Sequence, residues 1–438
     1  MTFEIIVGDV SEVLPTLEPE SFDATLCDPP YGLSFMGKAW DHGVPAEPVW
    51  REVLRALRPG AHLIAFGGTR TFHRLTCAIE DADFAIRDCL AWMYGSGFPK
   101  SLDVSKAIDK AAGVEFTPRP AEGVGFMRPD GRGGYNPTLN RLDRSGETTE
   151  AAHRFNGYGT ALKPAWEPAI LAMKPTDGTF ANNATEHGVA GVNVDGGRID
   201  IADGDSSGFW NQAKAGNPSN GLLAYREGCE AQGYDRIRKR PEASGAIPSG
   251  RWPANVLLDP EAAAMLDEQS GELNGRVGMK QHDSGLGSAS LGRFRRTDRS
   301  VGSGGEPDSG GASRFFYTAK ASTRERNAGM PEGETCGHPT LKPVRLIEYL
   351  AKLLLPPPRE DGKPRRILVP FSGAGSEVAG ALRAGWDEVV GVELSEECAG
   401  WARKRVPALV EMQFKEPRRK AAAEEAALGD ETPPLPFD

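Results

Sequence analysis

No two cysteines in this 438-residue chain stand in a C-x-x-C spacing, although there are six: Cys27, Cys77, Cys89, Cys229, Cys336 and Cys398. Neither a zinc site nor a disulfide framework is suggested, and a reducing cytoplasm is the expected compartment. The seven histidines are scattered without the spacing of a metal site, so no metal is expected. No apolar run reaches the length of a membrane span, and no membrane partner is expected. The N-terminus, MTFEIIVGD, lacks the basic segment and long apolar stretch of a secretory leader. An excess of positive charge is missing too. Lys and Arg number 51 against 61 Asp and Glu, a net charge of −10. That argues against a nucleic-acid binder held by bulk charge.

Glycine is abundant. It fills 53 of 438 positions, about 12% against roughly 7% usually, and much of the excess lies between residues 121 and 335. Local basic clusters lie in the same region. RIRKR supplies Arg236, Arg238, Lys239 and Arg240, and RFRRTDR supplies Arg293, Arg295 and Arg296. Each alone reads as solvated surface. Together, within one glycine-rich region, they form a candidate phosphate-contacting face.

The ends of the chain are more regular. FEIIV (3–7), DATLC (23–27), HLIAF (62–66) and IRDCLAWMY (86–94) are apolar runs of strand length. PVWREVLRALRP (48–59) and TRTFHRLTCAIEDA (69–82) between them have helical spacing with breakers at their ends. WEPAILAMKP (166–175) reads as a further strand. Such alternation implies a parallel sheet with helices on both faces. Between 176 and 335 the pattern breaks into short pieces. In one, WPANVLLDPEAAAMLDEQSG (252–271), a strand is followed by a helix that starts at Pro260, with Asp259 placed to cap it. In another, RFFYTAKASTRER (314–326), a strand is followed by Ser322-Thr323-Arg324-Glu325, which resembles a capping box. The alternation resumes with an amphipathic helix at 343–355, a strand, glycine turn and helix at 365–385, a strand at 387–394 and a helix at 395–406. Five strands from the first part and two from the last make a seven-stranded sheet split by an insertion. The expected domains are 1–175 with a loop insertion at 114–161, then 176–335, then 336–408, then a disordered tail at 409–438.

Two motifs carry chemistry. In VPFSGAGSEV (369–378) a strand runs into Gly373-x-Gly375 and then a helix. Glycines let the backbone turn tightly and approach a ligand, and a helix N-terminus offers free N–H groups. Glu393 ends the next strand, where a dinucleotide fold holds the carboxylate that binds ribose hydroxyls. The third glycine of the G-x-G-x-x-G fingerprint is absent, since Val378 stands there. That disfavours a pyrophosphate-binding dehydrogenase. An ordinary strand-helix turn is the plain reading of the glycines alone, and Glu393 tips it toward an adenosine-containing cofactor. The second motif is Asp28-Pro29-Pro30-Tyr31 at the end of an apolar strand. A strand-ending turn is the plain reading. Yet the prolines remove two N–H donors, so carbonyls and a carboxylate, all acceptors, stand beside an aromatic ring. That set suits a planar ligand carrying an amino group.

DPPY, followed by HPTLKP (338–343) and FSGAG, resembles the S-adenosylmethionine-dependent DNA amino-methyltransferases in their beta arrangement. WMYGSGFPKSLDVSKAIDK (92–110), LKPAWEPAI (162–170) and RFFYTAKAS (314–322) look like segments of the phage and prophage members. The resemblance covers most of 1–175 and 336–406. It implies an α/β fold, a circularly permuted seven-stranded Rossmann-like methyltransferase sheet with an inserted irregular target-recognition region at 176–335. It implies S-adenosylmethionine as cofactor and double-stranded DNA as substrate. Asp28 and the Pro29 carbonyl would accept hydrogen bonds from the target amine, and Tyr31 would stack on a base flipped out of the duplex. Phe371, Gly373 and Gly375 would line the cofactor, with Glu393 on its ribose and Thr340 and Lys342 at its methionine end. Asp9 matches a position near the cofactor's adenine, although Asp9 or Ser11 also fits as a plain helix cap. In the family, Asp or Asn at the first position of the tetrapeptide usually accompanies adenine N6, and Ser cytosine N4. Asp28 therefore points to adenine. N4-cytosine methylation and a DNA-binding protein without catalysis are the competing readings. A homodimer and an accompanying restriction enzyme are left open.

Overall fold

The computed structural model describes residues 1–33, 41–95, 101–114, 116–118, 142–144, 148–199, 250–271, 311–319, 322–338 and 340–414. The chain divides into two units, 1–95 with 166–438, and 96–165. The basic residues Arg236, Arg238, Lys239, Arg240, Arg293, Arg295 and Arg296 lie outside the described residues, as does 415–438.

The large unit is built on one sheet. Its strands are β1 (Thr2–Val7), β2 (Phe22–Cys27), β3 (Leu57–Phe66), β4 (Ala85–Met93), β5 (Trp166–Met173), β6 (Val256–Leu258), β7 (Tyr317–Thr318), β8 (Arg366–Pro370) and β9 (Glu388–Glu393). Their order across the sheet is β1-β9-β8-β2-β3-β5-β4-β6-β7. The seven strands expected are therefore joined by two short ones from the middle of the chain. The sheet is also not wholly parallel, because β5 runs antiparallel to both β3 and β4. The other eight share one direction.

The helices of this unit are α1 (Val10–Val13), α2 (Glu47–Ala56), α3 (Phe72–Asp81), α4 (Phe180–His187), α5 (Pro260–Ser270), α6 (Thr323–Arg326), α7 (Val344–Leu354), α8 (Ser376–Ala384) and α9 (Glu396–Glu411). They cover both faces of the sheet. Alternation along the inner strands sends side chains to opposite sides. Ile64, Phe66, Ile367 and Val369 join the core under α7, α8 and α9. Leu63, Ala65 and Leu368 join the core under α2 and α3, around Trp50. Eight of the eleven residues of α7 are buried, so the helix expected from its amphipathic spacing is a core element.

Three boundaries differ from the sequence reading. Pro59-Gly60 does not end a helix; β3 already starts at Leu57 and runs through them. Phe22 pairs with Leu57 but Ala24 with His62, so the intervening residues bulge out of register. Helix α9 continues past 406 to Glu411 through Pro407, because Val406 and Leu409 are fully buried. Both expected caps form. Asp259 accepts the Ala262 N–H at 2.7 Å. Ser322 and Glu325 exchange bonds, Glu325 N–H to Ser322 Oγ at 3.2 Å and Ser322 N–H to Glu325 Oε2 at 3.4 Å.

The small unit contains the helices Val104–Ala111 and Glu150–Arg154 and a strand pair, Phe116–Pro118 with Leu142–Arg144. Buried Asp109 ties the helices together by accepting from the Thr148 hydroxyl and from the Thr149 N–H and hydroxyl.

Candidate active site

β8 and β2 are adjacent and parallel near the middle of the sheet. From β8 the chain passes through α8 to β9 on one side, and from β2 through α2 to β3 on the other. The connections diverge, which opens a crevice beyond the strand ends where open α/β sheets bind ligands. DPPY follows β2 and FSGAG follows β8. The two motifs, more than three hundred residues apart, flank that crevice.

The loop after β8 is tightly wound. Phe371, Gly373 and Gly375 all have positive φ, at 62°, 50° and 84°. For Phe371, which is not glycine, that is an uncommon and costly conformation. Gly375 has no room for a side chain either, since a Cβ would stand 2.7 Å from Val406 and 2.9 Å from Ala402 of α9. Glu393, at the tip of β9, holds the loop. Its carboxylate accepts the Gly373 N–H at 2.8 Å and the Ser395 N–H at 2.9 Å. Burial raises the Glu393 carboxyl above its ordinary range, and those N–H groups oppose the rise. Arg405 clamps the loop from α9. Fully buried, it donates to the carbonyls of Ala374, Arg326 and Glu325.

Asp28 sits at the centre of a compact polar cluster. Tyr31 Oη donates to Asp28 Oδ1 at 2.7 Å and lies 3.2 Å from Glu167 Oε2. Lys342 Nζ donates to Asp28 Oδ2 at 2.7 Å and to Tyr31 Oη at 2.9 Å, and stands 3.1 Å from Glu167 Oε2. Three acceptors match the three ammonium protons. The contact with a cofactor's methionine end that the resemblance suggests would have to displace one of them. Lys342 is only 6% exposed and lies over the rings of Tyr31 and Phe66. Burial alone would lower its pKa, but attraction to Asp28 and Glu167 wins, and the amine is held well above its usual value. Tyr31 moves up as well, from burial and then from Asp28 and Glu167. The backbone of the motif is fixed by the Thr71 hydroxyl on the Tyr31 carbonyl and by buried Asp41, which accepts the N–H groups of Gly32 and Leu33.

Asp9 caps α1, accepting the Ser11 N–H at 2.8 Å and the Ser11 hydroxyl at 2.6 Å, which lower its carboxyl pKa. Thr340 is exposed two residues from Lys342. His338 is partly buried with its imidazole pKa lowered by burial, and its ring faces Gly373.

Sequence reasoning missed three site residues. Glu167, the second residue of β5, pairs in register with Trp92, whose ring lies 5.5 Å from that of Tyr94. Burial first, and then Glu167, pushes the Tyr94 hydroxyl up to about 12. Glu377, in the first turn of α8, is buried. Burial and then the Asp28 charge raise its carboxyl to about 8, against Lys342 and Arg405. Arg405 is the third. Glu377 and Glu167 lie within segments singled out in the sequence, yet nothing local marks either carboxylate; only the folded sheet edge brings them to the site. Away from this edge, the ligand-type atoms of Asp177, Glu186 and His187 lie within 4.8 Å of one another on the surface. Among the described residues no helix is long and apolar enough to cross a membrane.

These features define an α/β chain with an acceptor-rich motif and a glycine loop at one crevice. No protein-family model and no curated protein matches it. Among solved structures it is similar to a putative DNA modification methylase from Thermus thermophilus, at 14% identity and a TM-score of 0.36, over 94% of this chain and 97% of that one. It is similar to M1.HpyAVI in complex with SAM at 11% identity and a TM-score of 0.35, covering 92% and 100%. It is similar to the cytosine-N4-specific PvuII DNA methyltransferase at 10% identity and a TM-score of 0.40, covering 97% and 91%.

Proposed function

We propose that this protein is an S-adenosylmethionine-dependent DNA methyltransferase acting on the N6 amine of adenine. The observation that carries the reading is the meeting of Asp28 and the Gly373–Gly375 loop at one crevice, on adjacent parallel strands. The residues present fit the cofactor. A carboxylate offers about four lone-pair sites, and Glu393 meets the backbone N–H groups of Gly373 and Ser395, with that of Leu394 also acting on it. The capacity that remains suits a ribose hydroxyl, at the tip of the strand that follows the glycine loop.

When bound, the cofactor supplies a methyl group already activated by its sulfonium. The amine is the difficult partner, because its lone pair is delocalised into the ring. Asp28 and the Pro29 carbonyl would accept its two hydrogens, draw the nitrogen toward a tetrahedral shape and free the lone pair. Orientation then supplies most of the remaining catalysis, and no strong base is needed. Tyr31 Oη and Lys342 Nζ hold the two Asp28 oxygens and so fix the carboxylate. Duplex DNA is the substrate in this reading, with the target base flipped out. Adenine is favoured over cytosine because an Asp, not a Ser, opens the tetrapeptide.

Asp28→Ala tests the assignment. We expect methyl transfer to fall by about three orders of magnitude, the scale for a lost transition-state hydrogen-bonding group, with cofactor affinity by calorimetry largely kept. A folded variant with near-normal transfer would remove Asp28 from the chemistry.

A further inference from the structure

The site contains a second carboxylate to which the reaction above gives no task. Glu167 is the second residue of the one strand that runs against the others, so the beginning of β5 lies at the same sheet edge as the end of β2. Its Oε2 stands 3.1 Å from the Lys342 ammonium, which is itself 2.7 Å from Asp28 Oδ2. Lys342 therefore bridges two carboxylates instead of neutralising one. Two carboxylates and one ammonium leave the cluster with one net negative charge.

We propose that Glu167 is a positioning residue of the methyl-acceptor site: by sharing Lys342 with Asp28 it keeps a net negative charge facing the target amine. The inference rests on the methyltransferase reading. In that reaction the amine nitrogen forms a bond to the methyl carbon as the sulfur–carbon bond breaks, its electron pair staying on sulfur. Positive charge arrives on nitrogen, and one N–H proton then passes to the Asp28 carboxylate. A net negative site stabilises the arriving charge. A neutral one, with Lys342 committed wholly to Asp28, would not. Glu167 acts through Lys342 and Tyr31, and its second oxygen, Oε1, makes no hydrogen bond among the described residues.

Five full-length proteins test this: wild type, Glu167→Gln, Glu167→Asp, Lys342→Met and the Glu167→Gln/Lys342→Met double variant. Thermal unfolding without cofactor reads the bridge itself. Lys342→Met alone leaves two carboxylates with no cation between them, so it should lower the Tm more than the double variant does. Additive effects on Tm would overturn the bridge. Single-turnover methyl transfer to unmethylated genomic DNA reads the function. Glu167→Gln should slow transfer by about tenfold or more with the calorimetric Kd for S-adenosylmethionine unchanged. Lys342 also holds Asp28, so the double variant is read on Tm alone. Glu167→Asp, which keeps the carboxylate, should transfer faster than Glu167→Gln, a rescue by charge that a merely structural role would not give. Wild-type rates in Glu167→Gln, or a Glu167→Asp variant no faster than Glu167→Gln, would overturn the inference alone. A wild-type protein that binds no cofactor and methylates no DNA would overturn the parent reading and this role together.

Discussion

Single residues set the electrostatics of the site, and Glu377 shows how. Its carboxyl is raised from about 4.5 to about 8, mainly by burial and then by Asp28. Between those values the folded protein holds a proton that the unfolded chain has released. Stability from this group is therefore complete below about 4.5 and is lost as pH rises through about 8. Glu377→Gln, which mimics the protonated form, should leave Tm nearly unchanged at pH 4 and raise it progressively toward pH 9. A Tm difference that does not vary with pH would refute the buried, neutral carboxyl. Asp28 and Glu393 were legible in the sequence because each stands in a local motif. Glu377 reads there only as an ordinary acid in a first helical turn. Its burial arises where α8 packs on the sheet. The Lys342–Asp28 pair joins positions 314 residues apart, a distance that no local pattern spans.

At the scale of elements, most strands and helices were legible from apolar spacing and capping residues. Asp259 and the Ser322–Glu325 pair cap the helices they were expected to cap. What escaped was direction and membership. Apolar runs such as WEPAILAM look the same in parallel and antiparallel strands, so the reversal of β5 had no local signature. It is nevertheless the reversal that brings Glu167 to the sheet edge where Asp28 lies. In the proposed reading, the loop after β8 is the element that holds the cofactor. Gly375→Ala would force a left-handed conformation on alanine and press its Cβ against Val406 and Ala402. It should destabilise the fold by about 2 kcal/mol or more, read as a lower denaturant midpoint. An unchanged midpoint would mean that the loop relaxes freely.

At the scale of the whole molecule, the chain's two ends build one sheet, with β9 and β8 inserted between β1 and β2. This explains why residues from both ends were needed to state a function. Length and alternation indicated a split sheet. The strands read within 252–271 and 314–326 were not assigned to that sheet; as β6 and β7 they extend it to nine, and two- and three-residue strands carry too little pattern to show which sheet they join. The central claim is chemical: an exocyclic amine of a DNA base receives the methyl group. It is tested most directly by incubating the protein with unmethylated genomic DNA and deuterium-methyl-labelled S-adenosylmethionine, digesting the DNA to nucleosides and weighing them. The account predicts labelled N6-methyladenine. Labelled N4-methylcytosine alone would move the target to the other base, and no labelled amine in either base would contradict the account.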